Sequence, residues 1–295
     1  MKISDLLNRD GITFSLEVFP PKTSDKYEAI AETAREIAAL RPDFMSVTYG
    51  AGGGTGAFTT QIAAEIQNEL GVPTLAHLTC ASSSREHVRH MLELYRENGI
   101  ENILALRGDI PKDGPVFQDY RYASELIREI REQGDFCIGG ACYPEGHIEA
   151  PSRKEDLKHL KEKVDAGLSF LTTQMFFSND IFYTFLYRAR EQGILIPIIP
   201  GIMPITTAGQ LKRSAAMSGT VVPERFRAIV DFFGENPEAM KQAGIVYAVE
   251  QIIDLLANDI RHIHVYTMNH PDVAAGIYRL VKALIGRDRE TPEQA

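Results

Sequence analysis

Eight short β-rich runs alternate with long amphipathic stretches along this chain, and that alternation limits the fold more than any other feature. The runs are FSLEVFP from Phe14, FMSVTYG from Phe44, PTLAHLTC from Pro73 and NILALRGD from Asn102, then CIGGACYP from Cys137, FLTTQMFF from Phe170, LIPIIPGI from Leu195 and HIHVYTMN from His262. Most begin about thirty residues after the one before, the length of a strand–helix unit. The stretches between them, such as SREHVRHMLELYRENG and YRYASELIREIREQG, open on polar or acidic residues and several close on Gly. That is the chemistry of helix caps. Only the eighth run comes late, after GTVVPERFRAIVDFFGENPEAMKQAGIVYAVEQIIDLLAND, which supplies extra helices. Eight parallel strands with helices between them suit an α/β fold closed as a single (β/α)8 TIM barrel, with extra helices between strands 7 and 8, better than an open sheet. A chain of 295 residues is a size that one such barrel reaches. The barrel is expected over residues 1–285 and a polar tail over 286–295.

Alternate residues on a barrel strand point to the surrounding helices or into the lumen. In the first run Phe14, Leu16 and Val18 form the apolar set that meets the helices, so Ser15, Glu17 and Phe19 face inward. The same sorting sends Ser46 and Thr48, His77 and Thr79, and Arg107 and Asp109 inward on the next three runs. Tyr143, then Thr172 and Gln174, then His264 and Tyr266 follow on the fifth, sixth and eighth. A lumen is normally filled by branched apolar side chains, so this density of polar groups near the C-terminal ends of the runs reads as one site.

Glu17 sits among apolar residues, where desolvation penalises the charged form and raises the pKa, as a general acid requires. A carboxylate satisfied in an ordinary buried pair fits the same residues. Arg107 offers forked donors to a phosphate or carboxylate and Asp109 could orient a ring nitrogen or an amide; a salt bridge at the strand end is the alternative. His77 suits either a phosphate or a backbone carbonyl in the core. Tyr143 and His147 flank a Pro-Glu-Gly turn and make a plausible stacking platform. Asp156 and Lys163 share one side of a helix, which by charge pattern alone is a solvated face.

The glycine-rich stretch VTYGAGGGTG behind the second run lies where a nucleotide-binding turn would be expected. It lacks both the dinucleotide spacing of glycines and the Gly-Lys of a phosphate loop. A net charge of −9 argues against nucleic acid as partner. The most apolar stretch, ILIPIIPGIMPI, is short and broken by three prolines, so no membrane span and no secretory signal are expected. Three cysteines without C-x-x-C spacing fit a reducing cytoplasm. His87 with His90 and His262 with His264 are each half of a metal site at most, and no metal is expected.

In family order and spacing, SLEVFPPK, VTYGAGGG, AHLTC, LALRGD, YASEL, CYPEGH, KVDAG, TTQMFF, IIPGIMP and VYTMN make the chain up to about Ile285 resemble the bacterial methylenetetrahydrofolate reductase family. That family has a flavin-dependent (β/α)8 barrel. The resemblance implies FAD across the C-terminal mouth, contacted by Thr48, His77, Leu106, Arg107, Gly108 and Asp109. Tyr122, Ala123, Tyr143, His147, Asp156 and Lys163 would complete that cofactor site, with the glycine-rich turn on its rim. It further implies ping-pong reduction of 5,10-methylenetetrahydrofolate to 5-methyltetrahydrofolate with NAD(P)H. Glu17 would be the acid that opens the five-membered ring, Asp109 would stabilise developing positive charge, and Gln174, Tyr266 and Met268 would line the substrate. Two positions depart from relatives: His270 stands where Arg is common, and Ser214 where some have an aromatic residue. A homo-oligomer is expected. The regulatory domain of eukaryotic relatives does not follow the barrel, so control by S-adenosylmethionine is not expected.

Three rival readings share parts of this pattern. A Schiff-base lyase wants a Lys on a barrel strand, and none of the eight runs has one. A metal-dependent hydrolase wants an early His-x-His with carboxylate ligands. A flavin-binding subunit that exchanges electrons with a partner protein would use the same FAD residues without nicotinamide.

Overall fold

The computed structural model of the chain describes residues 1–49, 56–81, 83–109 and 119–287. Within them each β-rich run becomes barrel wall: β1 (Thr13–Val18), β2 (Phe44–Val47), β3 (Thr74–Thr79), β4 (Asn102–Leu106), β5 (Cys137–Cys142) and β6 (Phe170–Thr173). Each pairs in parallel with the next, and β1 also pairs in parallel with β9 (His262–Tyr266), register Ser15↔His264 and Glu17↔Tyr266.

The seventh run departs from the simple count. It forms two short segments, β7 (Ile198–Ile199) and β8 (Gly201–Ile202), because Pro200 between them has no N–H to give to a ladder. β7 pairs with β6 and β8 pairs with β9, while the Pro200 carbonyl accepts from His264 N at 3.0 Å. One broken strand therefore closes the cylinder, and among the described residues nine segments make the eight expected walls.

Helices α2 (Tyr27–Ala38), α3 (Gly56–Ala64), α4 (Arg85–Glu97), α5 (Ala123–Gln133), α6 (Arg153–Asp165), α7 (Asn179–Glu191) and α8 (Ala208–Ser218) follow strands in turn, and α11 (Pro271–Val281) follows β9. Their starts are chemical. Ser84, Ser152 and Thr207 each accept a backbone N–H of the first turn. The extra helices between β8 and β9 are α9 (Glu224–Phe233) and α10 (Pro237–Ala257). They share a core of their own, built from Phe177, Ile205, Phe226, Met240 and Tyr247.

Two apolar layers position the site. Outside the wall, Phe14, Leu16, Val18, Met45, Val47, Ala76, Leu78, Ile263 and Val265 pack against the helices. Inside, Phe44, Leu75, Leu104, Cys137, Phe170 and Ile199 fill the lower lumen, and Ile3, Leu6 and Leu7 of the short helix α1 (Ile3–Leu7) stop its N-terminal end. Glu17, Ser46, His77 and His264 stand above this apolar layer, while Asn102 meets the stopper below it, its side-chain carbonyl accepting from Ile3 N at 2.8 Å. Gly50, Gly52, Gly53 and Gly54 of the glycine-rich turn lie outside the described residues, as do positions 288–295 of the tail.

Candidate active site

Glu17 projects from β1 into the upper lumen, 5 % exposed. Its neighbours come from three other strands. Ser46 Oγ of β2 donates to Glu17 Oε2 at 2.9 Å. His77 Nε2 of β3 lies 3.5 Å from the same oxygen, and His264 Nε2 of β9 lies 3.7 Å from it. Behind His264, Ser15 Oγ is 2.8 Å from Nδ1. The backbone is held as firmly: Thr267 Oγ1 donates to the Glu17 carbonyl, and the Asn269 side-chain amide accepts from Phe19 N at 2.8 Å and donates to Phe19 O at 3.0 Å.

The inward direction read for Glu17 holds, but the raised pKa does not. Burial does push the Glu17 carboxyl up; the His264 imidazole, the His77 field and the Ser46 hydroxyl together outweigh it and leave the group below the usual carboxylate value. Burial pushes His77 the other way on its own scale, down to about 4, so its imidazole is neutral at pH 7. Among the described residues His77 Nε2 has no hydrogen-bond partner, while the Tyr95 hydroxyl donates to its backbone carbonyl at 2.9 Å. Of the two sequence readings of His77, its side chain therefore does not bond a core carbonyl through Nε2.

Strand parity fails on β4. Ile103 and Ala105 pack outward with the helices while Leu104 faces the lumen, so Arg107 and Asp109 share the outward parity. They reach the mouth because β4 ends at Leu106, and Gly108, at φ +80°, turns the chain. A side chain at Gly108 would also meet Thr79 at 2.9 Å. Arg107 Nη1 pairs with Glu149 Oε2 at 2.7 Å, so the strand-end salt bridge exists, made to Glu149 and not to Asp109. Asp109 is exposed.

The rim collects most of the remaining positions. Tyr143 and His147 meet edge to face at 4.6 Å between centroids. Asp156 is half-buried, pushed up by burial against the pull of the His147 N–H. Lys163 Nζ donates to the Ala141 carbonyl at 2.7 Å, and burial lowers its pKa. These two are not a solvated face. Tyr143, Gly146, Asp156 and Phe185 line a groove of about 170 Å³ on this outer rim, away from Glu17. Tyr122 stands exposed before α5, its ring stacked on His159 at 6.3 Å, and Ala123 is buried behind it. Thr48 N donates to Val18 O at 3.1 Å.

On the substrate side, Gln174 follows directly on β6, its Oε1 accepting from Met175 N at 2.9 Å. Tyr266 donates its hydroxyl to Thr173 O and lies over Gly201, where a Cβ would sit 2.5 Å from its ring. Met268 follows at φ +54°. The half-sites read for metal are spent otherwise: His87 Nε2 meets Tyr49 Oη at 3.0 Å and His262 Nδ1 meets Thr13 Oγ1 at 2.7 Å. Among the described residues no three His, Cys, Asp or Glu side chains could hold a metal ion, and no helix is long and apolar enough to cross a membrane. Ser15, Ser46, Thr267 and Asn269 were not singled out from sequence. Only the parity of Ser15 and Ser46 pointed to them.

A closed parallel barrel with a buried carboxyl, two imidazoles and two hydroxyls in its upper lumen defines a (β/α)8 enzyme with its chemistry at the mouth. The sequence profile described as methylenetetrahydrofolate reductase matches residues 2–282. The chain belongs to the methylenetetrahydrofolate reductase family, a family of oxidoreductases. It is 37 % identical to a 5,10-methylenetetrahydrofolate reductase of Pectobacterium carotovorum, covering 93 % of this chain and 91 % of that one. It is 35 % identical to the Escherichia coli protein of that name, over 90 % and 89 %. Methylenetetrahydrofolate reductase (NADH) 1 of Arabidopsis thaliana is 40 % identical over 94 % of this chain, which spans only 49 % of the plant protein's length. Among solved structures, a Clostridium thermocellum protein described as binding two copies of 5-methyl-5,6,7,8-tetrahydrofolic acid superposes with TM-score 0.66 at 15 % identity, over 97 % of this chain and 99 % of that one, a likeness of fold.

Proposed function

We propose that this chain reduces 5,10-methylenetetrahydrofolate to 5-methyltetrahydrofolate, with NAD(P)H as donor and FAD as resident cofactor, in a ping-pong cycle. The observation that carries the reading is the Glu17 carboxyl buried among Ser46, His77 and His264 in a barrel of this reductase family. The NADH in the plant relative's name supports a nicotinamide donor.

The residues present fit a flavin dinucleotide. His77 Nε2 is a buried polar atom without a hydrogen-bond partner among the described residues, Gly108 turns backbone toward the mouth at positive φ, and Arg107, Asp156 and Lys163 place both signs of charge along one rim. Arg107 would take the pyrophosphate with forked donors, Thr48, His77, Leu106 and Gly108 the ring system, and Tyr122, Ala123, Tyr143, His147, Asp156 and Lys163 the remainder. When bound, the flavin supplies hydride exchange between nicotinamide and the folate methylene carbon.

The protein's own work is alignment and a proton. The closed ring of the folate resists hydride until N10 is protonated and the bond from the methylene carbon to N10 breaks, leaving an iminium at N5. Glu17 gives that proton. Asp109 stabilises the positive charge that develops, while Gln174, Tyr266 and Met268 hold whichever substrate is in place.

Anaerobic mixing with NADH, then with folate, tests both halves. Glu17→Gln is expected to keep a yellow, NADH-bleachable flavin and to lose folate reduction by about a thousandfold. A colourless wild-type protein would overturn the cofactor; near-normal folate turnover in the variant would overturn the acid.

A further inference from the structure

The proposed chemistry asks Glu17 for a proton, yet its surroundings favour the carboxylate. The hydrogen count around His264 resolves this. Ser15 Oγ lies 3.2 Å from the Ile263 carbonyl, to which it donates, and 2.8 Å from His264 Nδ1. A hydroxyl has one hydrogen. Given to the carbonyl, it leaves a lone pair that accepts from Nδ1–H, and both contacts are satisfied. The basic nitrogen of neutral His264 is then Nε2, which faces Ser46 Oγ at 3.4 Å and Glu17 Oε2 at 3.7 Å. Ser46 spends its own hydrogen on Oε2 at 2.9 Å. Nε2 and Oε2 therefore confront each other as two acceptors, with no neighbour among the described residues providing a hydrogen between them.

We propose that His264, fixed in orientation and tautomer by Ser15, shares with Glu17 the single proton that folate reduction consumes. This deepens the reading of Glu17 as the acid and rests on it. The pair stores the proton as a carboxylic acid against a neutral imidazole, or as a carboxylate against an imidazolium. Both side chains are almost wholly buried, at 5 % and 2 % exposure. Covering the mouth with substrate removes further water, which disfavours the charged arrangement and moves the proton onto Glu17. From there it passes to folate N10, the bond from the methylene carbon to N10 breaks with its electron pair going to nitrogen, and hydride from the nicotinamide donor ends on that carbon. The pair is left one proton short and takes one from solvent before the next turnover. His264 is thus a positioning and proton-holding residue that acts through Glu17.

Among the described residues, the groups facing the pair are few. His77 approaches from β3, the Tyr266 ring meets His264 edge to face at 5.1 Å, and Phe44 of β2 stacks on its other side at 6.1 Å. The hydroxyls are Ser15 and Ser46. The basic limb of the folate half-reaction reports the loss of the proton that the pair holds.

The test is the rate at which 5,10-methylenetetrahydrofolate reoxidises the reduced flavin, followed against pH in stopped flow for wild type, His264→Asn, Ser15→Ala and Glu17→Gln. Asn keeps a donor for the carboxylate but has no basic nitrogen. In His264→Asn the limb is expected to move toward acid by about one pH unit, with the rate at neutral pH down about tenfold. Bleaching by NADH is expected to stay within about twofold of wild type, since no proton from Glu17 enters that half. Ser15→Ala should move the limb the same way by less, and it carries the test if the Asn variant does not retain flavin. A limb that stays in place or moves toward alkali, with Glu17→Gln inactive toward folate, overturns the shared proton and leaves the acid standing. Near-normal folate turnover in Glu17→Gln overturns both.

Discussion

His77 and Glu17 are both pushed below their ordinary values, the imidazole by burial and the carboxyl by donors that outweigh burial. The consequences for stability have the same sign. Between 6.5 and about 4 the unfolded chain binds a proton on His77 that the folded chain does not. That contribution is full above 6.5 and is lost as pH falls toward 4. Glu17 adds to it at lower pH: its contribution is present above the unfolded carboxyl value and disappears as pH falls through the folded one. Replacing His77 by Asn is expected to flatten the acid limb of stability by about 1.4 kcal/mol per pH unit, about 3 kcal/mol across the window. Urea unfolding at several pH values measures it; an unchanged slope would mean that the folded imidazole is charged. The sequence made the burial of Glu17 legible through the parity of FSLEVFP. It could not reveal the direction of the shift, because the groups that decide it arrive from β2, β3 and β9.

Alternation of apolar and polar residues told lumen from helix side on the strands that persist to the mouth, because their two faces carry different chemistry. It misled on β4, where the strand ends before Arg107 and the turn at Gly108, not the pleat, sets direction. It was also silent on the segment after β9. There Met268 and Asn269 both adopt left-handed backbone, at φ +54° and +57°, and the Asn269 amide closes on both backbone groups of Phe19. A left-handed residue other than Gly or Asn costs about 1–2 kcal/mol, so this turn is held against strain by the clamp it makes beside Glu17. Asn269→Ala should lose the two hydrogen bonds and add the strain, about 3 kcal/mol in all. Asn269→Gly should lose only the bonds and come out more stable than the Ala variant by about 1 kcal/mol. Equal stabilities of the two in urea would show that the backbone there is not strained.

Across the whole barrel, the two ends of the lumen are made of different material. The mouth holds Glu17, Ser46, His77 and His264, while the base is Phe44, Leu75, Leu104 and Phe170, stopped by Ile3, Leu6 and Leu7. The strand–helix alternation made the cylinder legible. The stopper was not, since a helix of five residues carries too little period to be read, and its apolar positions mean something only once the hole they fill exists. This division separates stability from chemistry along one axis, as barrels of this kind do between their two faces. Leu6→Ala removes a buried side chain from packed surroundings that cannot fully close over it, at a cost of about 3 kcal/mol. In a chain of this length that lowers the melting temperature by about 5 °C. Because Leu6 packs in the lower layer, flavin content, bleaching by NADH and folate turnover at 25 °C are expected to match wild type. Loss of turnover in proportion to the loss of stability would show instead that base and mouth unfold or distort as one unit, and that the polar ring depends on the stopper for its geometry.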